Sequence, residues 1–294
     1  MGRQYFFRAV GFIFVLVLLL LTVLWPIHGG AENVPSFKSN ILAVSRIPVR
    51  PPNAITGSEF ARRTAGLPED LRQQAALAEL RRGNIPQYIR SLKPITLTKS
   101  GQGTAMVWVT PDYLSIGSDD DFLRIPLTLP SALEISNEFG CTLPTPKIVD
   151  AIYRQSALKL TPQPLPAGQM MRSNEFYMRH QQLIQGQLIN YHPGDLISGH
   201  KKDVVFTKRL RKNPGKIAIY GWHKKDGCPI QPLSTVHEAD YADYSHGIRL
   251  VSTTVSINGE KCSIFDALRN PAYAPLLTDE GMIEDPETLA ACNK

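Results

Sequence analysis

The chain has 294 residues, 43% of them hydrophobic, and a formal net charge of +6. That is long enough for one large core or two small ones. The charge is too mild for a dedicated nucleic-acid binder, and four cysteines are too few for a disulfide-dense miniprotein.

Arg3 and Arg8 precede an apolar run over residues 10–25, which Pro26 ends, and small residues lead to Ala31. Residues 1–31 therefore read as a secretory signal peptide cut after Ala31. The run is slightly short for a membrane span, which needs roughly 20 apolar residues, so an uncleaved signal anchor is the alternative and would be the chain's only membrane contact. Either way the mature chain is expected in the periplasm or secreted. Residues 32–66, rich in Pro, Ser and Asn, read as a linker or extended arm, and 67–294 as a single domain.

Pro68, Glu69 and Asp70 open a helix whose apolar face holds Leu71, Ala75, Leu77 and Leu80. Residues 84–95 read as a short helical turn. The period then changes to strands over 104–110, 112–117 and 122–128, joined by the acidic turn 118–122. Ser131 is the expected cap of a helix ending at Gly140, and Thr145-Pro146 opens the next, over 146–158. Cys141 falls in the joint, where a packing role is expected. A longer helix covers about 173–189. Strands follow over 203–207, 216–222 and 247–257, and Asn258-Gly259 marks a tight hairpin. A last short helix spans 263–270. The fold class is α+β, with a mixed or largely antiparallel sheet and helices beside it.

Residues 198–252 concentrate the chemistry. His200, His223, His237 and His246 all lie there, with Asp203 and Asp243 close by. His200 and His223 fall at the ends of apolar strands and His246 opens another, where rigid elements present functional groups. The expected catalytic set is His200, Asp203, His223, Asp243 and His246, with His246 as general base and Asp203 or Asp243 orienting a histidine. Lys201, Lys202 and Arg249 are expected to hold anionic substrate, and Trp222 and Tyr244 to stack on sugar faces. The four histidines are also the candidate ligands of a divalent metal such as zinc, although no zinc spacing is present. Cys141 ahead of a helix, with His246 downstream, is the order of a papain-like cysteine peptidase or cell-wall cysteine amidase. Cys262 and Cys292 are the expected disulfide, with Cys228 as competitor.

The strings 199–205 (GHKKDVV), 219–223 (IYGWH) and 241–251 (YADYSHGIRLV), with 140–153 upstream, resemble an uncharacterised family of predicted secreted bacterial proteins. The resemblance implies no activity. Export and the His/Asp/Lys stretch together lead to an extracytoplasmic hydrolase of a cell-envelope polymer, peptidoglycan by default. The alternative is a non-catalytic envelope-binding or scaffolding protein.

Overall fold

Four of the expected helices form where their start signals stand. The computed structural model describes residues 46–188 and 191–287, all within one compact unit. Helix α1 is Gly57–Thr64 and α2 is Glu69–Arg81, with Glu69 and Asp70 in the first turn of α2 as its dipole favours. Helix α3 is Leu129–Glu138, α4 is Pro146–Gln155 and α5 is Asn174–Gln185. Thr145 caps α4, its Oγ1 accepting from the Ile148 N–H. The cap of α3 is Thr128 rather than Ser131, so the cap stands three residues earlier than expected.

The strands come in short pieces. They are β1 (Lys93–Lys99), β2 (Gly103–Val109), β3 (Ser115–Gly117), β4 (Phe122–Arg124), β5 (Cys141–Thr142), β6 (Leu158–Lys159) and β7 (Ile197–Ser198). After them come β8 (Lys202–Val204), β9 (Ile219–His223), β10 (Pro229–Ser234), β11 (His246–Gly247), β12 (Val251–Ser252), β13 (Thr254–Ile257) and β14 (Glu260–Ser263). One sheet runs β14-β13-β2-β12-β5 with β1 also on β2, and a second runs β10-β9-β8-β11. Pairing is antiparallel except at β6–β7 and β8–β11, so the chain is α+β with several mostly antiparallel sheets. Asn258 (φ 52°) and Gly259 (φ 92°) turn β13 into β14, the tight hairpin expected there. Helices α6 (Arg209–Lys212), α7 (Ile264–Arg269) and α8 (Ala274–Leu277) complete the described elements.

Three expectations change, and one turn that forms as expected gains partners. The arm expected over 32–66 does not extend over 46–66: Arg46 donates to the Phe139 carbonyl, Arg50 bonds Asn84 and Gly117, and α1 buries Phe60 and Ala61. Residues 84–95 hold one 3-10 turn and then enter β1, whose Ile95 and Leu97 alternate inward while Thr96 and Thr98 face out. The expected strand 247–257 breaks into β11, β12 and β13, with Ile248, Arg249 and Leu250 all buried between the first two. The acidic turn is structural: Asp119 accepts from the Gln87 N–H at 2.6 Å, and Asp121 accepts from the Ser58 N–H at 2.9 Å.

Cys141 is fully buried in β5, and burial pushes its thiol up to about 12. The expected Cys262–Cys292 bridge involves a residue outside those described; Cys262 itself is half-buried in β14. Cys292 and the apolar run with its cut after Ala31 lie outside the described residues. Among the described residues no helix is long and apolar enough to cross a membrane.

Candidate functional site

The histidine-rich stretch is organised by a break in strand alternation. Lys202 and Asp203 are neighbours in β8, so their side chains leave opposite faces of the sheet. Lys202 pairs with His246 on one side, and Asp203 pairs with Tyr220 on the other. In β9 the alternation is broken, because Gly221 (φ 103°) and Trp222 (φ 55°) both adopt positive φ. A tryptophan in that region is strained, at a cost of about 1–3 kcal/mol. The break sends Trp222 beneath the Lys202 ammonium, 5.2 Å from its ring centre, and turns His223 to the face that carries Tyr220.

On that face β9 meets α4. His223 Nε2 lies 2.9 Å from Asp150 Oδ1, and the Tyr220 hydroxyl donates to the same oxygen at 2.9 Å. An ionised carboxylate only accepts, so Nε2 carries the hydrogen and Nδ1 is the basic nitrogen. Tyr153 stacks on the His223 ring at 4.5 Å and fixes its own hydroxyl on the Lys224 carbonyl at 2.5 Å. These residues line a cavity of about 400 Å³, whose wall also carries Arg154, Lys159 and Lys225. The Lys159 ammonium sits 5.4 Å from the Tyr153 ring centre. Burial and the Asp150 carboxylate raise the Tyr220 phenol, so it stays a hydrogen donor. The site thus holds an oriented histidine, an aromatic floor, three cations and a second carboxylate, Asp226, beside open space.

The opposite face carries Lys202, Trp222 and His246, with Asp243, His237 and Tyr241 around them. Asp243 Oδ1 accepts from the Ser245 N–H at 2.7 Å and from its hydroxyl at 2.6 Å, and Tyr241 donates to Oδ2 at 3.1 Å. His246 Nε2 is 3.9 Å from Asp243 Oδ2, and neither ring nitrogen has a hydrogen-bond partner. His246 is fully buried, and burial pushes it down to about 4. The imidazole expected as general base is thus neutral and enclosed, and it does not border the cavity of about 400 Å³. His237 is half-buried and stacks on Tyr241 at 4.3 Å.

The remaining expected site residues are internal braces. His200 Nε2 lies 3.1 Å from Asp112 Oδ1, and Arg124 forks onto the same carboxylate with Nη2 2.6 Å from Oδ2. Burial alone would raise Asp112, but Arg124 and His200 outweigh it and hold the carboxyl below its usual range. Burial takes His200 down to about 4. Asp203 accepts from the Tyr113 hydroxyl at 2.8 Å, and burial raises it to about 6. Arg249 lies over the Tyr113 ring at 4.3 Å and donates to the Thr110 and Ile197 carbonyls. Lys201 donates to the Tyr244 carbonyl at 2.5 Å, and burial pushes its ammonium down to about 7. The Tyr244 hydroxyl accepts from the Leu165 N–H at 2.7 Å. His200, Lys201, Asp203, Tyr244 and Arg249 are all buried and bonded within the fold; His223 is buried too, at 3% exposure, but unlike them it borders the cavity.

The structure therefore brings Trp222, Lys202, His246 and Asp243 together on one face, places His223 on the other, and sets His200, Lys201, Asp203, Tyr244 and Arg249 into the interior. Among the described residues no three His, Cys, Asp or Glu side chains form a metal-ligand group, and the four candidate histidines do not share one. Asp150, Asp112 and Arg124 escaped sequence reasoning. A charged residue inside the apolar strand 122–128 was a signal for Arg124; Asp150 gave none, being one polar position on an amphipathic helix. No family model, no curated protein and no solved structure matches the chain.

Proposed function

We propose that the protein is an extracytoplasmic hydrolase of an anionic cell-envelope polymer, peptidoglycan by default, and that His223 is its general base. The observation that carries this reading is the His223–Asp150 pair, 2.9 Å apart, opening on the cavity. Asp150 holds the imidazole in one tautomer. Nδ1 then takes a proton from a water attacking an acyl carbon and returns it to the leaving group. Arg154, Lys159 and Lys225 suit the carboxylates or phosphates of an envelope polymer and the oxyanion formed during attack. Tyr153 offers a flat surface for a sugar ring. The apolar segment 10–25 is what points to the envelope, through export or signal anchoring.

The cysteine-peptidase reading has no support from Cys141, a fully buried thiol raised to about 12. A second reading, envelope binding without turnover, is favoured by one observation: no Ser, Thr or Cys lines the cavity, so no side-chain nucleophile of those types stands beside His223. Purified full-length protein is incubated with peptidoglycan sacculi while soluble fragments and cosedimentation are followed. Release that His223→Ala abolishes, with an unchanged melting temperature, supports the hydrolase. Cosedimentation without release from any envelope polymer supports the binding reading, and neither effect would overturn both.

A further inference from the structure

We propose that the opposite face of the β9–β8–β11 sheet holds a second ligand site, which takes a small oxyanion, a carboxylate or phosphate group, on Trp222, Lys202 and His246. Three buried nitrogens on this face lack a hydrogen-bond partner. Trp222 Nε1 is buried without an acceptor, and an indole N–H can only donate. Both nitrogens of His246 are buried without partners. Buried polar atoms in folded proteins are almost always paired with protein, water or ligand, so three orphans on neighbouring residues need a common explanation. Lys202 joins them. Its ammonium lies 5.2 Å from the Trp222 ring centre, and in register it pairs with His246 across the parallel β8–β11 contact.

The unused donors of the cluster, rather than its net charge, indicate the ligand, since the Lys202 ammonium is offset by the Asp243 carboxylate. Asp243 is the acid nearest His246, and its oxygens already accept from the Ser245 N–H, the Ser245 hydroxyl and the Tyr241 hydroxyl. The unused capacity is therefore a neutral N–H donor, an ammonium and an imidazole, which together match an oxyanion acceptor. Trp222 is 6% exposed and His246 fully buried, so they form the floor, while half-buried Lys202, His237 and Tyr241 stand toward the surface. The stacked His237 and Tyr241 rings would flank the rest of the ligand. Trp222 reaches this face only because of its positive φ, which gives that strained conformation a use separate from the orientation of His223.

The test reads binding alone and is independent of the hydrolase reading. Full-length 15N-labelled protein is titrated with sodium acetate, and separately with sodium phosphate, at fixed pH and ionic strength. The indole N–H resonance of Trp222 is followed, assigned by its loss in Trp222→Phe, and that of Trp108 serves as internal control. The expected result is a saturable shift of the Trp222 resonance alone. It should be weakened at least about tenfold by Lys202→Met and by His246→Gln, and left unchanged by His223→Ala. Saturation by acetate only assigns a carboxylate ligand, and saturation by phosphate only a phosphate monoester. Failure of both anions to produce a saturable shift in the wild-type protein would overturn the site and leave ordered water as the partner of these atoms. So would a shift that Lys202→Met, shown to be folded by its spectrum, leaves intact.

Discussion

Tyr220 and His223 stand three positions apart on one strand, yet both meet the same oxygen, Asp150 Oδ1, at 2.9 Å. In a regular strand residues an odd number apart leave opposite faces. The positive φ angles at Gly221 and Trp222 invert the second half of β9 and make the convergence geometric rather than accidental. Gly221 is essential to that turn. A Cβ there would meet Val149 Cγ1 at 3.3 Å and His223 Cε1 at 3.4 Å, in a conformation that disfavours L side chains. Gly221→Ala is expected to cost about 1–3 kcal/mol in urea unfolding. It should also reduce polymer release by more than the stability loss accounts for, because His223 is displaced.

Removing the carboxylate while keeping its shape tests the orientation of His223. Asp150→Asn should lower turnover by about 100-fold, within the range for a misaligned general base. Polymer cosedimentation should change little. Tyr220→Phe removes only the second donor to the carboxylate and should cost less than about tenfold. Equal losses in binding and turnover would point instead to a collapsed cavity.

The Asp112–Arg124 fork is buried on both sides, with the Arg124 side chain 1% exposed and Asp112 fully buried. Breaking such a pair leaves a charge without compensation. Asp112→Asn is expected to destabilise the protein by about 3–5 kcal/mol in denaturant unfolding. A loss under about 1 kcal/mol would mean that the His200–Asp112–Arg124 brace matters little to the fold.

Stability should rise with pH between about 4 and 6.5. His246 titrates near 4 when folded against an ordinary 6.5, so the unfolded chain binds more protons in that window. His200, also brought to about 4, acts in the same direction. Each contributes up to about 3 kcal/mol, fully present above 6.5 and lost as the pH falls toward 4. Asp203, raised to about 6, runs the other way because its folded form binds the proton more readily, and it offsets part of the slope. His246→Gln should flatten the dependence of unfolding free energy on pH in this window, measured by urea titration at several pH values. An unchanged slope would show that His246 is open to solvent and protonates freely.

The thiols should separate by reactivity. Cys228 is exposed and Cys141 is not. A maleimide reagent should label Cys228 in native protein and reach Cys141 only after unfolding. Cys141→Ser is expected to cost on the order of 1 kcal/mol, through a hydroxyl placed in an apolar niche, and to leave any activity intact.

Local signals in the sequence were enough for α2, α4, α5, α7 and the Asn258-Gly259 hairpin, since caps, apolar periods and turn pairs are written within a few neighbouring residues. They also marked 198–252 as the polar stretch from which both proposed sites draw. Helix α1 was missed because its eight residues sit in a Pro-rich context, and β1 because the helical spacing of Ile85, Tyr88, Ile89 and Leu92 runs up to its first residue. The division of the histidines was decided only in three dimensions. His223 opens on a cavity because Asp150, 73 residues away on α4, meets a strand inverted at Gly221 and Trp222. His200 and His246 are buried because strands from distant parts of the chain close over them, bringing Asp112 and Arg124 to the one and Lys202 to the other. A pattern of residue types carries the period of an element; which face meets solvent, and which carboxylate a histidine finds, depends on packing between segments that are remote in sequence.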